Sequence, residues 1–246
     1  MVGACAYAAL AAGSSQVRLG AVVVFAIIVF FVAVCVIAWY FSWKRQKAIE
    51  AWAISRGFRF SQERDGSIEY RFPFPCLRDG SNRYGHNISV GEWCGRPICA
   101  FDYHYQTESG VGKNRRTNHY HFSAVIVDSG LPLHPLLIRP EGIFDKITEF
   151  FGYDDIDFES SEFSRKFYVK SPDKRWAFDV ISQKTMEFLL EMPRFRVELL
   201  GTYVIARSGC RTFSAGSFDP ALLVASGIIE RLPEYLLREM KGDRNG

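Results

Sequence analysis

An uncharged stretch at residues 19–43 restricts what this chain can fold into more than any other part of its sequence. Its 25 residues, LGAVVVFAIIVFFVAVCVIAWYFSW, include no Asp, Glu, Lys or Arg. As an α-helix the stretch would extend about 37 Å, and the hydrocarbon core of a bilayer is about 30 Å thick. We therefore predict a transmembrane helix at residues 19–43.

A cleaved signal peptide is the alternative interpretation of this stretch. It would need a shorter apolar region followed by small residues at a cleavage point, whereas KRQKAIEAW follows here. The small-residue stretch AYAALAAG lies on the other side of the apolar run. Trp39, Tyr40 and Trp43 lie at its C-terminal end, where amphipathic rings favour the headgroup region. These features favour a retained anchor.

The flanking charges predict the orientation of the helix. Arg18 is the one charged side chain before it, and Lys44, Arg45 and Lys47 follow it at once. Because positive charges are retained on the cytoplasmic side, we predict an extracytoplasmic tail at residues 1–18 and a cytoplasmic domain behind a plasma-membrane span.

Cysteine usage agrees with a reducing compartment on the C-terminal side. The cysteines there lack the C-x-x-C spacing of zinc sites, and we expect them to be thiols: Cys76, Cys94, Cys99 and Cys210. In the reversed orientation, Cys94 and Cys99 could form a disulfide across a hairpin.

The rest of the chain predicts a juxtamembrane helix at residues 44–57 and one α+β domain at residues 58–246. Strand-like runs separated by Gly, Pro and Asn, with short connections, indicate a mainly antiparallel sheet. The predicted strands are 87–93, 98–106, 117–128, 134–140, 165–171, 194–201, 203–207 and 210–213. A turn is predicted at 171–174, and helices are predicted at 143–152, at 183–192 and as a pair over 219–241.

Composition and charge narrow the possible functions. The chain has 30 Lys and Arg against 27 Asp and Glu, which argues against a general nucleic-acid-binding protein. Its 21 phenylalanines are enough for a hydrophobic core, so we do not expect disorder.

The segment at residues 110–122, GVGKNRRTNHYHF, contains a Gly-Lys pair like a fragment of a phosphate-binding loop. A Walker loop needs Gly where Thr107 stands and Ser or Thr where Asn114 stands, and it precedes a helix rather than a strand. We therefore predict the tip and return strand of a hairpin. Lys113, Arg115 and Arg116 at this tip could contact phosphate or an acidic partner, although a solvated loop is the simpler interpretation.

Histidines on two predicted strands suggest a metal site. Alternation of side chains places Asp102 and His104 on the side opposite the aromatic residues of their strand, and His119 and His121 on the side opposite Tyr120. If the strands pair, all four lie on one non-core surface, and three imidazoles with a carboxylate could ligate zinc or iron. The alternative is the solvated face of a half-exposed sheet.

Two stretches resemble a known group of proteins: KAIEAWAISRGFRF directly after the membrane span, and DFESSEFSRKFYVKSPDKRWAFDVISQKTMEFLL. GEWCGRPICAFDYHY and PLLIRPE are also similar to it. The group comprises uncharacterised bacterial single-pass membrane proteins, frequent in actinobacteria, with a cytoplasmic domain of unknown function. It usually has Asn where Ser164 stands here. The resemblance implies fold and topology.

Three hypotheses of function follow. The favoured one is a membrane-anchored binding, scaffolding or regulatory module with the lipid bilayer and an unknown protein as partners. The alternatives are a metal-dependent enzyme or sensor that uses the histidines, and a domain that contacts anionic lipid. The chain carries no catalytic motif, so we lean against an enzyme and predict no cofactor and no nucleic-acid partner.

Overall fold

The computed structural model describes residues 2–110, 114–141, 156–209 and 211–242, with side chains from residue 24 to residue 240 within these ranges. It divides into two compact units, Met1–Ala48 and Ile49–Gly246. The helix predicted at 143–152 lies outside the described residues.

The first unit is helical. Helix α1 runs over Val2–Ser55, so it begins well before the predicted span and ends beyond it. Its segment Val24–Ser55 is long and apolar enough to cross a membrane by length and composition, and its most apolar part is not buried in the structure. Among the apolar side chains that remain exposed are Phe25, Phe30 and Trp39.

The second unit is an α+β domain, as predicted, built on a six-stranded antiparallel sheet. The strands are β1 (Arg59–Ser61), β2 (Ser81–Trp93), β3 (Arg96–Ser109), β4 (Arg116–Pro140), β5 (Phe167–Lys170) and β6 (Arg196–Arg207). Their order is β1-β2-β3-β4-β5, and β6 pairs with β4. The helices are α2 (Ile68–Arg71), α3 (Ser161–Lys166), α4 (Lys174–Val180), α5 (Gln183–Glu191), α6 (Phe218–Glu230) and α7 (Glu234–Gly242).

The pairing of β4 with β6 explains why four predicted strands become two. β6 pairs with β4 from Ala124 to Ile138, with irregular register near Leu133. Gly130 and Gly201 have positive φ there, so the Gly and Pro residues expected to end a strand produce a bulge instead. The strands predicted at 117–128 and 134–140 therefore form β4, and those at 194–201 and 203–207 form β6.

Both faces of the sheet are covered. The larger core includes the end of α1, β-strand side chains and helices α4 to α7, and Phe163, Phe167 and Val169 are buried in it. The smaller core lies on the opposite face, where α2 and the turn at Pro75–Leu77 pack on Phe101, Phe122 and Ile205. Burial on both sides makes the sheet a central layer.

Two local predictions are wrong, and the strand predicted at 165–171 is confirmed as the shorter β5. Residues 161–166 form α3 before β5, because Ser160 caps the helix by accepting the Phe163 amide. The turn predicted at 171–174 opens α4, whose N-cap Asp173 accepts the Trp176 amide at 3.0 Å. Residues 211–214 form no strand; Cys210 lies outside the described residues. The helices expected at 183–192 and 219–241 are confirmed as α5 and as the pair α6 and α7.

Ser164 has a clear local role. Its hydroxyl accepts the Phe158 amide at 3.1 Å and lies 3.3 Å from the Phe158 carbonyl oxygen, to which it donates. These bonds hold the chain that leads into α3. An Asn side chain carries both a donor and an acceptor, so it could make the same pair of bonds.

Candidate histidine site

Four of the five histidines lie on one face of strands β2, β3 and β4. The register pairs His104 with His121, His86 with Asp102 and Gln106 with His119. Residues that oppose each other in antiparallel strands project to the same side. We call this surface the histidine face; its members are Tyr84, His86, Asp102, His104, Gln106, His119, His121 and Ser123.

Two bulges in β2 shape the histidine face. The register of β2 against β3 shifts between Ser81 and Tyr84 and again between His86 and Ser89. Each shift contains an asparagine with positive φ, Asn82 at 49° and Asn87 at 51°. Asparagine tolerates this conformation better than most residues, and bulges re-aim neighbouring groups. Here they direct a carbonyl and an amide onto the histidine face.

The first bulge orients His104. The Asn82 carbonyl lies 3.1 Å from His104 Nδ1, so it accepts a hydrogen bond from that nitrogen. The Nε2 atom of His104 then points along the sheet and lies 3.1 Å from His119 Nδ1. The Tyr84 ring stacks on the His104 imidazole with ring centroids 4.6 Å apart. The Arg64 guanidinium lies over the Tyr84 ring, 4.5 Å from its centroid. His104 is only 3% exposed.

The second bulge places a hydrogen-bond donor beside Asp102. Asn87 Nδ2 donates to Asp102 Oδ2 at 2.9 Å, and the Ser123 hydroxyl donates to Asp102 Oδ1. Ser123 in turn accepts the Phe213 amide at 2.8 Å. Asp102 and Ser123 are both 0% exposed. A buried carboxylate requires such donors, so this group fixes the packing of β2, β3 and β4 at their centre.

The interpretation of the histidine face as a plain solvated surface is therefore wrong at its centre. His119 and His121 are exposed, but Asp102 and His104 are enclosed, and the same side of the sheet continues into the larger core through Ala100. The bulges of β2 place Asn82 and Asn87 against these two enclosed side chains, which neither strand alternation nor composition reveals.

Electrostatics on this face favour neutral imidazole at its exposed end. Partial burial lowers the pKa of His121, and positive charge on His104 or His119 would lower it further, while Asp102 opposes the shift. His104 and His121 have ring centroids 4.8 Å apart, and His104 and His119 have centroids 5.4 Å apart. In the part of the chain that the structure describes, no set of three or more His, Cys, Asp or Glu side chains is already placed to hold a metal ion.

The other candidate residues belong to the β3–β4 hairpin and to α1. Arg115 pairs with Glu108 at the β3–β4 hairpin, Arg116 is exposed there, and Lys113 is outside the described residues. The membrane-flanking residues Trp39, Tyr40, Trp43, Lys44, Arg45 and Lys47 all lie in α1. Arg18 also lies in α1, in the part without described side chains.

A buried ion cluster was not predicted. Arg196 donates to Glu198 at 2.8 Å, Arg207 lies 3.5 Å from the same carboxylate oxygen, and all three are nearly inaccessible. Burial, and secondarily the Glu198 charge, raises the pKa of the nearby Cys76 thiol to about 12. The sequence does show that Arg196 and Glu198 alternate with apolar residues on a predicted strand. Such alternation predicts that charged side chains are exposed, so it does not reveal their burial.

Comparison with known proteins supports the fold. No protein-family model matches the chain, and no curated protein matches it significantly. Among solved structures, the chain is similar to that of the mycobacterial trehalose monomycolate transport factor A, TtfA, with a TM-score of 0.57 and 11% sequence identity. The similarity covers 79% of this chain and 94% of TtfA. At this identity the two proteins share a fold.

Proposed function

We propose that the protein is a single-pass membrane protein of a bacterial plasma membrane, with its N-terminus outside and residues 44–246 in the cytoplasm. The observation that carries this proposal is the exposure of the apolar side chains of α1: Trp39 is 68% exposed and Phe25 is 68% exposed. Side chains this apolar are stable in such numbers only in contact with lipid or protein. The Lys44, Arg45 and Lys47 cluster supports the orientation.

We further propose that the domain is a binding module, an accessory to transport rather than an enzyme. The fold shared with a protein described as a transport factor supports this role. Burial of the polar centre also supports it. Asp102 and Ser123 could in principle serve as base and nucleophile, but both are fully enclosed and bonded to each other. A substrate in solvent therefore has no access to either side chain in this structure.

The orientation can be tested on native thiols. Cys94 is exposed in the turn between β2 and β3. We expect a membrane-impermeant maleimide to label Cys94 in lysed cells but not in intact spheroplasts, and to label Cys5 in both. The Cys94→Ser variant identifies the signal. Labelling of Cys94 in intact spheroplasts would place the domain outside and contradict the proposal.

The binding role can be tested by site-specific photo-crosslinking in cells. Tyr70 and Tyr235 are exposed at 80% and 51% and are suitable positions for a photoreactive residue. A binding module should give a discrete adduct with a membrane protein from at least one position. Adducts with lipid alone would favour the lipid-contacting alternative, and the absence of adducts at both positions would contradict a stable partner.

A further inference from the structure

Three imidazoles of the histidine face lie close together, although they are not yet placed to hold a metal ion. His119 and His121 are two residues apart on β4, so they project to the same side, and His104 lies directly opposite His121 on β3. In a tetrahedral site with metal–nitrogen distances near 2.1 Å, imidazole centroids are roughly 5 Å apart. The observed centroid distances from His104 are 5.4 Å to His119 and 4.8 Å to His121.

Two of the three rings already hold nitrogen atoms close to the separation of two ligands of one ion, because these nitrogens face each other in a hydrogen bond. His104 Nε2 and His119 Nδ1 are 3.1 Å apart, and two ligands of one tetrahedral ion at these bond lengths would be about 3.4 Å apart. The hydrogen on His104 Nδ1 is directed to the Asn82 carbonyl, which leaves the Nε2 lone pair facing His119. Metal-ligating histidines characteristically make such a bond from their second nitrogen.

The third ring needs one movement. His121 is exposed, so its imidazole can rotate about its side-chain bonds without displacing the core. Asp102, the carboxylate expected beside the histidines, is held by Asn87 and Ser123 and is not needed as a ligand. The fourth position would face solvent, because both His119 and His121 lie at the surface.

We propose that His104, His119 and His121 form a site for a borderline divalent transition metal, best suited to Zn²⁺, which closes when His121 rotates. Neutral imidazole ligands favour Zn²⁺, Cu²⁺, Ni²⁺ and Co²⁺ over Mg²⁺ or Ca²⁺. Gln106 lies next to the site, with its amide nitrogen 3.2 Å from His119 Nδ1. Metal binding is independent of the proposed anchoring and partner binding, so each can fail alone.

The test uses the full chain in detergent, purified with a histidine-free tag and stripped of metal. All proteins carry Cys94→Ser, because an exposed thiol could bind the probe ion by itself. Zn²⁺ affinity is measured by competition with a chromophoric chelator, and Co²⁺ coordination by its visible absorption. One equivalent should bind with a dissociation constant below about 1 µM and give a tetrahedral Co²⁺ spectrum.

Matched variants identify the ligands. His119→Gln and His121→Gln are surface changes that should leave the fold intact and weaken Zn²⁺ binding at least about 100-fold. His134→Gln is the control, since His134 is an exposed histidine bonded to Asp173 outside this face. Absence of saturable binding below about 100 µM, or equal loss of affinity in the His134 variant, would overturn the proposal.

Discussion

The end of α1 should be an integral part of the domain, and Trp52 tests this. Its indole is 9% exposed, stacks on Phe218 with centroids 4.8 Å apart, and donates to Asp219 Oδ1 at 2.8 Å. Replacing a buried Trp by Ala costs about 3–5 kcal/mol of unfolding free energy. We expect this full cost for Trp52→Ala, out of a total stability of about 5–15 kcal/mol.

Trp52→Phe separates packing from hydrogen bonding. Phenylalanine keeps most of the stacked area but lacks the indole donor. A hydrogen bond to a charged group contributes about 1.5–3 kcal/mol, and Asp219 is 28% exposed and keeps its bond to Arg56, so we expect a loss of about 1 kcal/mol.

Pulse proteolysis in urea suits this measurement, because it reports unfolding of the domain while the anchor stays in detergent. The expected order of stability is wild type, then Trp52→Phe, then Trp52→Ala. Lys184→Ala, on the exposed face of α5, is the control and should lie within about 0.5 kcal/mol of wild type. A loss below about 1 kcal/mol for Trp52→Ala would refute the reasoning and favour a domain that begins at residue 58.

Three further predictions concern single side chains. Glu198→Gln should reduce stability by about 3–5 kcal/mol in urea unfolding, because it removes the buried carboxylate charge that both Arg196 and Arg207 contact; unchanged stability would contradict this. Because the folded-state pKa of His121 is lowered, the stability that neutral His121 contributes is complete above about pH 6.5 and is lost as the pH falls through the folded-state pKa. The stability of His121→Gln should therefore fall less than that of wild type on acidification in the same assay. At pH 8 a maleimide should modify the exposed Cys94 rapidly, and it should modify Cys76 and Cys99 only on unfolding. The reason is that burial raises the pKa of the Cys76 thiol to about 12 and that of the Cys99 thiol to about 11. Fast modification of Cys76 or Cys99 in the native protein would contradict their burial.

The alternation around the histidines of β3 and β4 could be predicted, whereas the pairing of these strands was only a condition of that prediction. Tyr103 and Phe122 oppose each other on one side, and His104 and His121 on the other, which is the arrangement that places three histidines together. The amphipathic helices α5 and α6 could be predicted for the same reason, since their periodicity is local information.

The groups that orient the histidines could not be predicted. Residues 81–86, SNRYGH, contain Asn and Gly and no strand-like alternation, yet they lie in β2. The positive φ of Asn87 is compensated by its bond to Asp102, fifteen residues away in sequence. Such a compensation depends on tertiary contacts, so strand propensity does not contain it.

The two asparagine bulges of β2 also constrain how this gene can change over time. Between them the strand carries Tyr84 and His86 on the histidine face, whereas Ile88 and Val90, beyond the second bulge, join the smaller core. Removal of one residue at either bulge would exchange the two sides for every position that follows. Point substitutions can accumulate along this strand one at a time, but insertions and deletions of single codons at residues 82–87 would be eliminated. In related sequences, the number of residues in this segment should therefore be conserved more strongly than their identities.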